Sequence, residues 1–482
     1  MRWRYIFNVV GALVLVFGLT MLVPLAAGLY YQDSSVRPLL VAMGITILTG
    51  GIFYLLFRKQ QAPQISQREG MAIVTLGWTA VGFFGALPFY FDATGWAFVN
   101  SVFESVSGFT TTGASILSDI EALPKGLLLW RSFIQWLGGM GIIVLSIAIL
   151  PFLGVGGMQL YRAEVPSPVP DKLKPRIRET AVILWKVYAL FSAVEVILLM
   201  IGRMSFFDAL CHAFTTLPTG GFSTQNGSIA QFGNLYFDIV LIIFMVLAGI
   251  NFSLHYQLLR GRPLAFWKDP ECRFFLGTVA VLSIIVSWNV LGSVYQTIGE
   301  AIRYGTFQVV SIVTTTGFAT ADYEQWPAMS QLILLLCMFL GGSAGSTGGG
   351  MKCLRIMLCF KFCHKELFTL VHPRAVTAIK IGGRTVPDDV MRSVLGFLAL
   401  YLGLFAISTV LLAATGVDFT TAFSAVVACI GNIGPGFGMV GPVENFAAIP
   451  VLGKWLLIWC MLLGRLEIYT VLILLVPAFW KN

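Results

Sequence analysis

The chain has 482 residues, 57% of them hydrophobic and only 11% charged, against about a quarter charged in an ordinary soluble domain. Mean hydropathy is +0.84. These values exclude a soluble globular enzyme and a disordered chain, and they place the protein in a bilayer. The net charge of +8 reports membrane orientation, as the loop charges below indicate, and does not argue for nucleic-acid binding.

Apolar runs of about twenty residues, the length that crosses a hydrocarbon core of ~30 Å, recur along the whole chain. They predict ten spans, near residues 5–30, 38–57, 71–91, 127–152, 180–202, 234–258, 274–295, 328–358, 390–415 and 451–480. Met1-Arg2-Trp3-Arg4, an apolar run and Ala26-Ala27-Gly28 could be mistaken for a secretory signal. That run is longer than a signal's apolar region and a second span follows at once, so an uncleaved first helix is expected. Lys and Arg crowd one set of loops: the N-terminus, 58–68, 162–178, 260–273, 352–392 and Lys481. The opposite set carries Asp92, Asp119, Glu121, Asp322, Glu324 and Glu444. By the positive-inside rule both termini are expected in the cytoplasm.

Between spans three and four, five and six, seven and eight, and nine and ten lies a short glycine-centred segment. These read Thr110-Thr111-Thr112-Gly113, Pro218-Thr219-Gly220-Gly221, Thr314-Thr315-Thr316-Gly317 and Gly431-Asn432-Ile433-Gly434. Their last glycines recur at intervals of about one hundred residues, which is the mark of one unit used four times. Aligned on those glycines, the position six residues earlier holds Ser107, Thr215, Ser311 and Ala428, and the one before it Val106, Phe214, Val310 and Val427. About ten residues precede each segment, as at 100–109, 207–216 and 419–430. That is too short to span but fits a half-crossing helix, tolerated at membrane depth where it is packed in protein or lines a water-filled path. Entering from outside, such a helix aims its C-terminal carbonyls at the membrane centre and favours a cation there. Glycine lets backbone oxygens turn toward an axis, so four such turns can replace an ion's water. Any one segment alone reads as an external loop; four in matched positions read as an ion filter. Thr111, Thr112, Gly113, Thr219, Gly220, Gly221, Thr315, Thr316, Gly317, Asn432, Ile433 and Gly434 are its expected residues. The fourth segment lacks threonine and could also be registered on Gly436, so strict fourfold symmetry is not expected.

The eighth span is interrupted by Gly341-Gly342-Ser343-Ala344-Gly345-Ser346-Thr347-Gly348-Gly349-Gly350. Each glycine costs a helix ~1 kcal/mol relative to alanine. A phosphate-binding loop is excluded by the Met351-Lys352 that follows. A packing kink is one reading; the functional one is a mobile loop beneath the filter, with Gly345, Gly348, Gly349 and Gly350 as gating residues. Arg465 lies halfway along the last span, where a charge costs ~2.5–3.5 kcal/mol even on permissive scales. It must face a pore or a buried partner. Glu467 lies on another helix face, which makes a simple pair between the two doubtful. Glu195, in span five, suits either helix packing or ion coupling. Eight cysteines form no CxxC pair, and Cys359, Cys363 and His364 at one helix end do not make a metal site.

Four such units, the interrupted span and the late arginine together resemble the Trk/Ktr/HKT superfamily of potassium transport proteins, and within it the TrkH/TrkG branch, over essentially the whole chain. The resemblance implies an all-α polytopic membrane protein. Four helix–pore-loop–helix repeats (70–155, 178–262, 272–365 and 388–482) would surround a pseudo-fourfold pore, beside an N-terminal hairpin (1–60). It further implies K+ as the bound and transported ion, because Gly113 stands where sodium-permeable members carry serine. Arg465 would be a barrier below the filter, in contact with the glycine-rich loop. The implied partners are a second copy of the chain, a TrkA-type nucleotide-binding ring on the cytoplasmic side of a bacterial inner membrane, and membrane lipids, with no nucleic acid. That ring would dock on basic loops holding Arg162, Lys172, Lys174, Arg176, Arg178, Lys361 and Lys365. No organic cofactor and no covalent chemistry are expected. A membrane-embedded enzyme would need clustered acids or histidines, whereas His212, His255, His364 and His372 are dispersed. A proton- or sodium-coupled symporter remains the alternative that Glu195 supports.

Overall fold

The computed structural model describes residues 1–58, 66–92, 95–148, 173–375 and 377–480. Among them, six helices are long and apolar enough to cross a membrane, or eight if each of two bent pairs counts as one span. The other two expected spans are Lys125–Ala148, whose continuation lies outside the described residues, and the interrupted one after Ala328–Cys337.

Two helices at the N-terminus, Trp3–Thr20 running on through Leu22–Tyr31 and then Val36–Leu56, pair as a hairpin. Four repeats follow, each a leading helix, a half-helix, an extended segment and a closing helix. The leading helices are Gln67–Tyr90, Leu173–Ile201, Pro270–Val290 and Asp388–Ala413. The first is started by a capping box, in which Ser66 and Glu69 each satisfy the other's backbone N–H. The half-helices are Phe98–Phe109, Phe206–Thr216, Ile298–Val313 and Phe419–Ile430, at 12, 11, 16 and 12 residues. None reaches the ~20 residues a crossing needs. All four are buried at their C-terminal ends, whereas Phe98, Phe206, Ile298 and Phe419 leave their N-terminal ends exposed. Among the described residues the regular structure is helical apart from an antiparallel ribbon of two-residue strands, Lys380–Ile381 with Arg384–Thr385.

The closing helices depart from the expected straight spans. Only the third was expected to break, and it does, between Ala328–Cys337 and Cys353–Val371. The second bends by 104° between Leu235–Gly249 and Phe252–Leu259. Asn251 restarts the helix there, its Oδ1 accepting from Ser253 N–H at 2.9 Å. The fourth bends by 110° after Arg465, where Glu467 and Ile468 take φ of +61° and +47°. No glycine or proline occupies that bend, so local propensity does not explain it. Tertiary ion pairs on Glu467, described below, do.

Of the eight cysteines, six are buried; Cys359 is half-buried and Cys363 exposed, both on Cys353–Val371.

Candidate ion filter and intramembrane loop

The four segments share one backbone conformation. Two residues before each last glycine the chain turns through positive φ, at Thr111 (+51°), Thr219 (+57°), Thr315 (+60°) and Asn432 (+54°). The glycines follow at +81° (Gly113), +73° (Gly221), +82° (Gly317) and +104° (Gly434). In each segment the residue just before the glycine donates its N–H to the carbonyl six positions before that glycine. The pairs are Thr112 to Ser107 at 2.8 Å, Gly220 to Thr215 at 2.8 Å, Thr316 to Ser311 at 2.8 Å and Ile433 to Ala428 at 2.9 Å. Those acceptors are the small residues that the sequence alignment had matched. The fourth segment is therefore in register on Gly434, and the alternative on Gly436 falls away.

The segments close on one another in chain order. A Cβ on Gly113 would overlap the carbonyl oxygen of Gly220, one on Gly221 that of Thr316, and one on Gly317 that of Ile433. A Cβ on Gly434 would lie 2.8 Å from the oxygen of Thr112, which returns to the first segment. Each glycine thus faces the carbonyl that precedes the next glycine, around a closed ring. Positive φ and the missing side chain are both required at these positions. The twelve predicted filter residues come together in this ring. Thr111, Thr112, Thr219, Thr315, Thr316, Asn432 and Ile433 are fully buried. Asn432 Nδ2 reaches across to Thr112 Oγ1 at 2.9 Å and to the Met461 carbonyl at 3.0 Å.

Behind the ring stand residues that the sequence reading missed. Nine positions before the glycines are Glu104, His212, Gln308 and Ala425. Glu104 accepts from Ser115 Oγ at 2.9 Å and Ile116 N–H at 3.0 Å, and pairs with the buried Arg131 at 2.6 Å. Arg131 also donates to the Ser223 carbonyl at 2.8 Å and lies over Phe222 at 3.6 Å, so it joins repeat 1 to repeat 2. His212 Nε2 sits 3.1 Å from Ser223 Oγ, and Gln308 Nε2 donates to the Ala321 carbonyl at 3.3 Å. Ala425 has no polar group. Its neighbour Ser424 takes over, accepting from Phe437 N–H and donating to the same residue's carbonyl, both at 2.9 Å. Reading the aligned repeats three positions further back would have exposed this column. A lone arginine in an apolar span would have exposed Arg131.

The glycine-rich loop packs directly against the ring. Gly349 N–H donates to Thr315 Oγ1 at 2.8 Å, and Gly350 N–H to the Gly431 carbonyl at 2.9 Å. Thr347 Oγ1 lies 2.8 Å from the Leu217 carbonyl, and Gly345 accepts from Phe252 N–H at 3.1 Å. Gly348 donates to Ser346 Oγ at 3.2 Å. Glu271, from the leading helix of the repeat, ties the loop to the helix after it by accepting from Ala344 N–H at 2.6 Å and Leu354 N–H at 3.1 Å. Arg465 is buried and donates from Nη1 to the Thr347 carbonyl at 2.7 Å. Among the described residues it has no carboxylate partner, and its Nε and Nη2 make no hydrogen bond. Glu467 instead pairs with Lys352 and Arg355. Glu195 is fully buried on Leu173–Ile201. Lys361 donates to the Lys380 carbonyl at 2.9 Å; Arg162 and Lys172 lie outside the described residues, as do the side chains of Lys174, Arg176 and Arg178.

The arrangement of repeats, ring and loop can be set beside known proteins. The family model described as "TrkH: Cation transport protein" matches residues 39–482. The chain belongs to this family. The Trk system potassium uptake protein TrkH of Escherichia coli strain K12 is 44% identical over the full length of both chains, and TrkG of the same organism 37% identical over 99% of both. The crystal structure of the potassium transporter TrkH from Vibrio parahaemolyticus superposes with a TM-score of 0.92 at 39% identity, each chain covered completely. Family membership, then, rests on the whole chain, the N-terminal hairpin in part included.

Proposed function

We propose that this chain takes potassium ions into a bacterial cell across its inner membrane, through the ring formed by the four glycine segments. The observation that carries the reading is the ring itself: four repeats of different sequence keep one positive-φ backbone and meet carbonyl to glycine in a closed circle. Carbonyl oxygens turned toward one axis can replace an ion's hydration shell, and the buried braces behind the ring hold them in place. The half-helix C-termini ending at Phe109, Thr216, Val313 and Ile430 add negative potential where the cation would sit. The relatives are named for potassium uptake, and Gly113 keeps a glycine in the first repeat. The 341–350 loop, held by Arg465, is the gate: it packs against the ring through Thr315 and Gly431 and brings beside it one buried guanidinium whose charge opposes a cation. Both termini in the cytoplasm, a homodimer and a TrkA-type ring acting on the loop complete the reading. Lipids surround the assembly, and the chain performs no covalent chemistry.

The test is ion flux from purified protein in liposomes, with potassium and sodium compared and a proton gradient imposed or absent. Potassium flux well above sodium flux is expected; Gly113→Ser, whose Cβ meets the Gly220 oxygen, should lower flux strongly and narrow that difference in what remains. Equal permeation of the two ions would overturn the filter. Dependence of potassium flux on the proton gradient beyond its electrical effect would favour a symporter. For the gate, shortening the 341–350 loop and Arg465→Ala should each raise flux, with effects that do not add because both act on one constriction. Wild-type flux in both would return the loop to a packing kink.

A further inference from the structure

The bend of the last span holds the gate loop from two sides. Arg465, on the near side of the bend, carries the Thr347 carbonyl. Glu467, within the bend, holds the residues at the loop's exit: Lys352 Nζ at 2.9 Å on Oε1 and Arg355 Nη2 at 2.5 Å on Oε2. All three side chains are buried, and the Arg355 guanidinium lies over the Phe397 ring at 3.8 Å. The backbone is bent to reach this arrangement. Lys352, Glu467 and Ile468 all have positive φ, at +66°, +61° and +47°, a region that L-residues and β-branched ones above all avoid. Such conformations persist where surrounding contacts over-determine them, and they collect at switching elements. The ion pairs are the contacts at hand. A loop whose exit is tied to the bend cannot swing away from the ring while those pairs are intact.

We infer that Glu467 is a latch: through Lys352 and Arg355 it ties the exit of the 341–350 loop to the broken last span and keeps the loop beneath the ring. It is a positioning residue and does not touch the ion. The inference rests on the reading of that loop as the gate. It differs from the Arg465 contact in that the latch acts through side-chain charges on the loop's exit, whereas Arg465 acts on a carbonyl within the loop.

The experiment measures potassium efflux from liposomes holding equal amounts of purified full-length protein, for wild type, Glu467→Gln, Lys352→Met and Arg355→Met. Glu467→Gln should raise flux several-fold without changing the potassium-to-sodium ratio, because the ring is untouched. Lys352→Met leaves one pair standing and should give a smaller rise. Combining Glu467→Gln with Lys352→Met should add nothing to Glu467→Gln alone, since both cut the same tie. Glu467→Asp, which keeps a carboxylate for both cations, should leave flux closer to wild type than Glu467→Gln does. Should Glu467→Gln be too unstable to purify, the milder Lys352→Met decides the question by itself. Unchanged or reduced flux in Lys352→Met at equal protein, while loop shortening does raise flux, would overturn the latch and leave the gate standing. No rise in either would overturn the gate and the latch with it.

Discussion

The ring of backbone carbonyls and the layer of side chains behind it follow opposite rules. Around the ring the four repeats are nearly equivalent: the same positive φ two residues before the glycine, the same N–H to carbonyl closure, the same glycine against the next carbonyl. Behind it they share almost nothing. Repeat 1 uses a buried ion pair, repeat 2 a histidine, repeat 3 a glutamine and repeat 4 a serine one position away. Repeat 4 is also held from repeat 3, where Tyr323 Oη donates to the Gly436 carbonyl at 2.8 Å and Glu324 accepts from Gly438 N–H. Symmetry is kept where atoms must meet at one axis. Where only rigidity is needed, any chemistry that satisfies the buried polar groups serves.

The contrast can be broken most severely at the ring. Gly221→Ala and Gly317→Ala should abolish potassium flux, because each Cβ overlaps a carbonyl oxygen of the neighbouring segment and the φ disfavours any side chain. Gly434→Ala should be the mildest of the four, its Cβ meeting Thr112 oxygen at 2.8 Å. Liposome flux at matched protein levels measures the order, and equal losses at all four positions would show that strain alone, without the neighbour's carbonyl, decides. Next in size comes the brace of repeat 1. Glu104→Ala leaves the Arg131 guanidinium buried without its carboxylate and should cost about 3–5 kcal/mol, read as a large fall in Tm of the detergent-solubilised protein. A smaller loss is expected at repeat 4. Ser424→Ala leaves Phe437 N–H and carbonyl without their partner and should cost about 1–3 kcal/mol, with retained flux in molecules that remain folded. A Tm unchanged by Ser424→Ala would mean that the braces from repeat 3 suffice.

The smallest effect concerns Glu324, outside the spans on the segment between ring and closing helix. Burial pushes its carboxyl above the ordinary 4.5, the Gly438 N–H opposes this, and Glu444 and Asp322 add to the rise. A raised folded-state value means that the folded chain binds the proton more readily than the unfolded one. Its contribution to stability is therefore present below 4.5 and declines as pH rises through the higher folded-state value. Glu324→Gln should flatten that part of the Tm-against-pH curve slightly. An unaltered slope would remove Glu324 from the list of braces that titrate.

How much of this could be read from the chain alone follows the same division. Repeats, hairpin, half-helices and the glycine register were legible because glycine and apolar length are local signals that recur. The ring's second positive-φ position was not, since Thr111, Thr219 and Thr315 are residues that ordinarily avoid that region and only the packed surroundings impose it. The loop at 341–350 announced itself by composition. The bend at Glu467 and Ile468 did not, because its cause is two cations more than one hundred residues away in sequence. Glu104, Arg131 and Glu271 were missed for the same reason: each is explained by a partner in another element. Arg465 was found by its cost, but its acceptor, a carbonyl of the loop, could come only from the fold.

The distribution of thiols has a practical consequence. Six of the eight cysteines are packed inside the bundle, while Cys363 is open and Cys359 half-open on the helix that leaves the glycine-rich loop. One face of one helix thus offers native attachment points for a maleimide fluorophore, with the remaining sulfurs shielded from the reagent. A dye placed there would ride on the segment downstream of Lys352, and its polarisation would register movements of that segment in real time without engineering a single new cysteine.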